Sequence, residues 1–84
     1  MKALVTVLEA RYVKNHRLLL RFSDGIEKTV DFSPWLRGEV FEPLRDVAAF
    51  KKFFLSGGTV CWPNGADVAP ETLRAAADAS ASAA

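Results

Sequence analysis

One histidine, His16, and one cysteine, Cys61, are the only side chains of their kinds in these 84 residues. A hydrolytic mechanism needs a nucleophile, a base and an orienting group within reach of one another. His16 falls in a predicted turn, where a lone histidine reads as a surface residue rather than a base. Cys61 lies inside an apolar stretch beside Trp62, where burial raises a thiol pKa and leaves it inert. One histidine and one cysteine fall short of the ligand set of a zinc site. Asp24, Asp31 and Asp67 are too scattered for a calcium loop, and Asp24 and Asp67 each sit where a turn needs them. Gly57-Gly58 lacks the lysine and the longer glycine pattern of a phosphate-binding loop. These residues point to a domain that is not an enzyme and that carries no metal or cofactor.

Contact chemistry is better represented. Trp62-Pro63-Asn64-Gly65-Ala66-Asp67 combines a strand stop, a tight turn and an exposed polar side chain. Proline cannot donate to a sheet ladder, and Asn-Gly favours positive φ, so a strand ending at Trp62 must turn there. Tryptophan is enriched in binding hot spots, so the expected contact residues for a protein partner or a second copy are Trp62, Pro63, Asn64, Asp67 and Trp35. Two rival readings stand beside this one. The first is a ligand-binding or enzymatic pocket built from Asp31, Asp67 and Arg17 beside Trp62. The second is weak nucleic-acid binding through Tyr12, Lys14, His16 and Arg17, which predicts DNA retardation that vanishes with added salt.

Size and charge narrow the field. The chain is long enough for one domain, expected over residues 1–78, with an Ala/Ser tail at 79–84 that has no large side chain to bury. Its net charge is +1, so no overall field draws it to nucleic acid or anionic lipid. Residues 1–30 hold six bases against three acids, while the remainder is net −2. A single cysteine excludes an internal disulfide and fits a reducing cytoplasm. The apolar run after Met1 is too short for a signal-peptide core, and no stretch is long enough to span a membrane.

The elements that must position these residues can be read in order. Leu4–Leu8 is apolar on both faces and predicts a central strand, followed by a turn over Tyr12–Arg17 with Asn15 the residue best able to take positive φ. Residues 17–31 predict a hairpin closed by Ser23-Asp24-Gly25. That loop pairs Phe22 with Ile26 and Leu18 with Val30 on one face, and Arg21 with Glu27 and Arg17 with Asp31 on the other. A two-residue loop would set Arg21 against Lys28 and mix the faces. Lys28 stays on the apolar face, with its amine expected to reach water. Ser33-Pro34 predicts a capped short turn that Gly38 closes, and Glu42-Pro43 a smaller one. Asp46 caps a helix carrying Val47, Phe50, Phe53 and Phe54 on one buried stripe. Ser56-Gly57-Gly58 ends that region, Thr59–Trp62 forms a last strand, and a helix runs from about Pro70 to Ala77. The expected architecture is α+β: a small antiparallel sheet of about four strands, packed by the Val47–Phe54 helix and the C-terminal helix.

Phe22-Ser23-Asp24-Gly25, Val30-Asp31-Phe32, Phe41-Glu42-Pro43-Leu44 and the Trp62–Asp67 run, followed by Pro70-Glu71-Thr72-Leu73, come in an order that resembles the bacterial domain of unknown function family 2442. The resemblance covers roughly residues 4–74. It implies a small α+β domain that is often a whole protein and is sometimes joined to a helix-turn-helix DNA-binding domain, which is not expected here. It also implies an antitoxin-like partnership with a small protein encoded nearby, and it carries over no catalytic residues.

Overall fold

Three antiparallel strands, β1 (Val7–Lys14), β2 (Arg17–Phe22) and β3 (Glu27–Asp31), form the larger sheet in that spatial order. The structure, a computed structural model, describes residues 5–76 and residue 78. The Ala/Ser tail, Ala77 and the start of the predicted Leu4–Leu8 strand therefore lie outside the described residues. On β2, Leu18, Leu20 and Phe22 are buried while Arg17, Leu19 and Arg21 take the other face. Opposite charges across the β2–β3 ladder set its register, with Arg17 facing Asp31, Leu18 facing Val30 and Arg21 facing Glu27. Phe22 N donates to Ile26 O at 2.8 Å, and Gly25 closes the three-residue loop at φ +88°.

Two details of this hairpin depart from expectation. Ile26 is 39% exposed rather than buried with Phe22. A residue bordering a solvated loop has protein on fewer sides than one in mid-strand. The Lys28 amine does not reach out to water but donates to the carbonyls of Arg74 and Ala76.

The first strand differs more. β1 begins at Val7, runs to Lys14 and lies at the edge, so Leu4–Leu8 is not a central strand and the expected Tyr12–Arg17 turn shrinks to Asn15-His16. Asn15 does take positive φ, at +52°. Pairing shows why the sequence misleads: the register skips between Val7 and Glu9 and again between Tyr12 and Lys14. Leu8 and Val13 are thus bulged residues, 50% and 46% exposed, that break the two-residue period.

After β3 the chain makes single turns rather than a long helix. A 3₁₀ turn spans Ser33–Trp35, and the side chain that caps it is Asp31, not Ser33: Asp31 Oδ1 accepts from Ser33 N at 2.9 Å and from Ser33 Oγ at 2.7 Å. Gly38, expected to close that turn, opens α1 (Gly38–Phe41) at φ +85°. A second 3₁₀ turn, Glu42–Arg45, leads to α2 (Val47–Phe50), which Asp46 caps as predicted through Ala48 N at 3.2 Å. The predicted Val47–Phe54 helix stops at Phe50. Phe54 instead starts β4 (Phe54–Ser56), which pairs with β5 (Thr59–Cys61) across Gly57-Gly58. Both glycines have positive φ, +61° and +81°, as a two-residue hairpin loop with strand-matched twist requires. The hairpin tip sits on the start of β1, since Val7 N donates to Gly58 O at 2.8 Å. A Cβ on Gly58 would lie 2.9 Å from the Thr6 methyl carbon, so that contact also demands glycine.

Phe50 occupies the middle of the core. Its ring meets Phe32 at 5.6 Å, His16 at 5.2 Å and Tyr12 at 6.4 Å, all edge-on, and tilts against Trp62 at 5.6 Å. The last element, α3 (Pro70–Ala75), buries Leu73 in the same cluster and packs Ala76 beside it. Its C-terminal carbonyls are the ones Lys28 holds, and Thr29 N on the outer edge of β3 donates to Asp78 Oδ1 at 3.1 Å. The α+β class holds, but with five strands among the described residues, in two sheets of three and two. No helix among the described residues is long and apolar enough to cross a membrane.

Candidate functional site

The Trp62–Asp67 corner is built by backbone closure followed by side-chain latching. Trp62 N donates to Ala66 O at 2.9 Å and Gly65 N to Trp62 O at 3.0 Å, with Gly65 at φ +94°. Asn64 Oδ1 accepts from Ala66 N at 3.1 Å, the Asx turn that this residue type favours. Its Nδ2 reaches across to α1 and donates to Val40 O at 2.8 Å. Beyond the corner the chain doubles back along β5: Asp67 bridges to Cys61, Val68 N lies 3.4 Å from Val60 O, and Thr59 Oγ1 donates to Val68 O.

Trp62 itself is core. It is 1% exposed, and its indole N–H donates to Phe50 O at 2.8 Å, so the ring stays inside with its polar atom satisfied. What reaches the surface is Pro63, a ridge between two shallow depressions that Trp62 and Pro63 both line. The larger, about 310 Å³, adds Phe54, Cys61 and Asp67. The smaller, about 160 Å³, adds Pro43, Leu44, Ala49 and Lys52, and it is bordered by Asn64. The fold thus gathers Trp62, Pro63, Asn64 and Asp67 in one place. Trp35 stands apart, half-buried with its ring edge-on to Phe32 at 5.4 Å, and lines neither depression. Phe54, 45% exposed, lines the larger depression, whereas the sequence places it on a buried helical stripe. Its signal was the Gly57-Gly58 pair, which marks a hairpin and hence a strand rather than a helix before it.

Of the residues able to do chemistry, Cys61 and Asp67 line the larger depression, while His16 and Asp31 lie outside it. His16 Nε2 donates to Arg45 O at 2.8 Å, which pins the β1–β2 turn to the second 3₁₀ turn. Burial, together with the charge of Asp67, pushes the Cys61 thiol above its usual range, and its Sγ lies 3.6 Å from Ser56 O. The trio proposed for a pocket is split: Arg17 and Asp31 face each other at 3.8 Å across the larger sheet, whereas Asp67 lines the depression beside Trp62. Burial works to raise the Asp31 carboxyl, but the Ser33 amide and hydroxyl and the Arg17 charge outweigh it and hold the group below the ordinary aspartate range. Among the described residues no three His, Cys, Asp or Glu side chains converge as a metal site would require.

The outer face of the larger sheet carries mixed charge. Glu9 accepts from Arg21 at 3.1 Å, and Arg11 and Glu27 flank the pair around Leu19. That hydrogen bond and the Arg21 charge hold the Glu9 carboxyl below its usual value. Interspersed signs of this kind make a solvated surface and not a basic groove. Of the residues considered for nucleic acid, Tyr12 is half-buried against Phe50 with the Lys51 amine 4.9 Å above its ring.

Among the described residues, two small antiparallel sheets, three short helices and a latched Trp-Pro-Asn-Gly turn define a small α+β domain. The family model described as Protein of unknown function (DUF2442) matches residues 7–79, and the chain belongs to that family. No curated protein and no solved structure matches it.

Proposed function

We propose that this domain is a non-enzymatic protein-interaction module that receives an apolar side chain of a protein partner at the Pro63 ridge. The observation that carries this reading is Phe54, left 45% exposed on a three-residue strand beside a depression floored by Trp62. A domain this small needs its aromatic rings inside, and an aromatic left at the rim of a depression of mixed polarity is the arrangement of a contact residue. The dispersal of His16, Cys61 and Asp31 into structural hydrogen bonds supports the same reading. An antitoxin-like pairing with a small protein of the same cell, as the family resemblance implies, is the specific form proposed for the partnership.

Co-purification of the tagged full chain from its host tests the proposal. A partner should be retained by the wild type, lost with Phe54→Asp, and kept with Val13→Asn, which alters an exposed apolar residue that lines neither depression. Recovery of only monomeric chain under several conditions overturns it. So does a partner indifferent to Phe54→Asp.

A further inference from the structure

Asn64 precedes Gly65, and glycine has no Cβ to hinder approach of its own backbone nitrogen to the preceding side-chain amide. We infer that Asn64 is a deamidation site whose rate is governed by opening of the corner and whose product unlatches that corner from α1. In the reaction the Gly65 nitrogen gives up its proton and attacks Asn64 Cγ. A new C–N bond forms, the Cγ–Nδ2 bond breaks, and Nδ2 departs as ammonia carrying that proton. Water then opens the resulting succinimide at one of its two carbonyls to give aspartate or isoaspartate, with no change of oxidation state.

Every participant is held in another role in the folded corner. Gly65 N donates to Trp62 O at 3.0 Å, so the nucleophile must first surrender that bond. Asn64 Oδ1 accepts from Ala66 N at 3.1 Å and Nδ2 donates to Val40 O at 2.8 Å, so the amide cannot rotate toward Gly65 without losing both. Asn64 is exposed, so water for the second step is at hand. Conversion therefore waits on local opening, an event distinct from global unfolding.

The product cannot rebuild the latch. Aspartate at this position presents carboxylate oxygens to the Val40 carbonyl, and two acceptors replace a donor and an acceptor. Isoaspartate adds a methylene to the main chain inside a turn closed by the Gly65 N to Trp62 O bond. Either product cuts the tether between residues 64 and 40, which joins the Pro63 ridge to α1.

Incubating the full chain at mildly alkaline pH, folded and in concentrated urea, tests the assignment, with isoaspartate followed by peptide mass spectrometry and by enzymatic methyl labelling. Conversion at residue 64 should be at least about tenfold faster in urea, because the folded state must open locally first. Asn64→Asp, which supplies one product directly, should speed amide exchange over Gly38–Phe41 and Asn64–Ala66 while leaving that of β2 unchanged. Equal rates in the folded and unfolded chain would overturn the inference, as would no conversion in urea. Unaltered exchange over Gly38–Phe41 in Asn64→Asp would overturn its unlatching half.

Discussion

The hairpin of β2 and β3 and the stretch from Val47 to Val60 are both rich in apolar residues, yet one keeps the structure its local pattern spells and the other does not. In the hairpin, three independent constraints agree: apolar alternation, opposite charges across the ladder, and a glycine at the left-handed loop position. Slipping by one residue to an Asp24-Gly25 loop would keep the glycine but violate the other two. In the later stretch Val47, Phe50, Phe53 and Phe54 fit a helical stripe, but Phe54 and Leu55 fit a hairpin arm equally well. The Gly57-Gly58 loop and the contact of Gly58 with β1 decide for the strand. Agreement among several weak local signals is what makes a segment readable, and a single periodicity is not enough.

The sharpest way to break this comparison is to strike the ambiguous stretch at its anchor. Phe50→Ala removes the ring that touches Tyr12, His16, Phe32 and Trp62, and should cost about 3–5 kcal/mol. Against a total of about 4–12 kcal/mol expected for a chain of this length, urea titration should find the variant's midpoint far below that of the wild type. A loss smaller than that of Leu20→Ala would mean that the larger sheet, and not Phe50, organises the core.

Lys28→Met asks how far the hairpin depends on α3. The stem is kept, but the two donations to the Arg74 and Ala76 carbonyls are lost, at about 1–2 kcal/mol, with α3 amides exchanging faster. Burial, helped by the charge of Arg74, depresses the lysine pKa. The unfolded chain therefore binds more protons than the folded one between the folded value and the ordinary lysine value. Stability should rise as pH climbs through that window, and Lys28→Met should flatten the rise.

Asp31→Ala removes the cap of the 3₁₀ turn and should cost about 1 kcal/mol at neutral pH. Because the folded carboxyl is held low, its contribution is complete above the ordinary aspartate range and disappears as pH falls through the folded value. Wild type and variant should accordingly converge in acid unfolding curves.

Ile26→Thr is the mildest case. At 39% exposure it should change stability by less than about 0.5 kcal/mol, in contrast to its buried ladder partner Phe22. A loss near that of a core residue would show that the hairpin tip is covered after all.

The site divides along the same line as the fold. The Trp-Pro-Asn-Gly turn was legible because proline and an Asn-Gly pair each restrict the backbone in a way that no distant contact needs to supply. The side chains it would expose were only partly so: Pro63, Asn64 and Asp67 are exposed as the sequence suggests, whereas the Trp62 indole N–H bonds to Phe50 O and keeps that ring inside, and Phe54 joins the surface instead. The bulges at Leu8 and Val13 were equally hidden, since an extra residue in a strand shows itself only against the partner strand it fails to match.

By itself, then, the amino-acid order determined the α+β class, the register of β2 against β3 and the Asp46, Asn15 and Asn64-Gly65 turns, because these depend on interactions within a few residues or across one short loop. Tertiary structure alone decided that β1 is an edge strand, that the Trp62 indole bonds to Phe50 O and that Lys28 secures α3. Each of those outcomes is fixed by groups far away in the chain, whose distance no local pattern can measure.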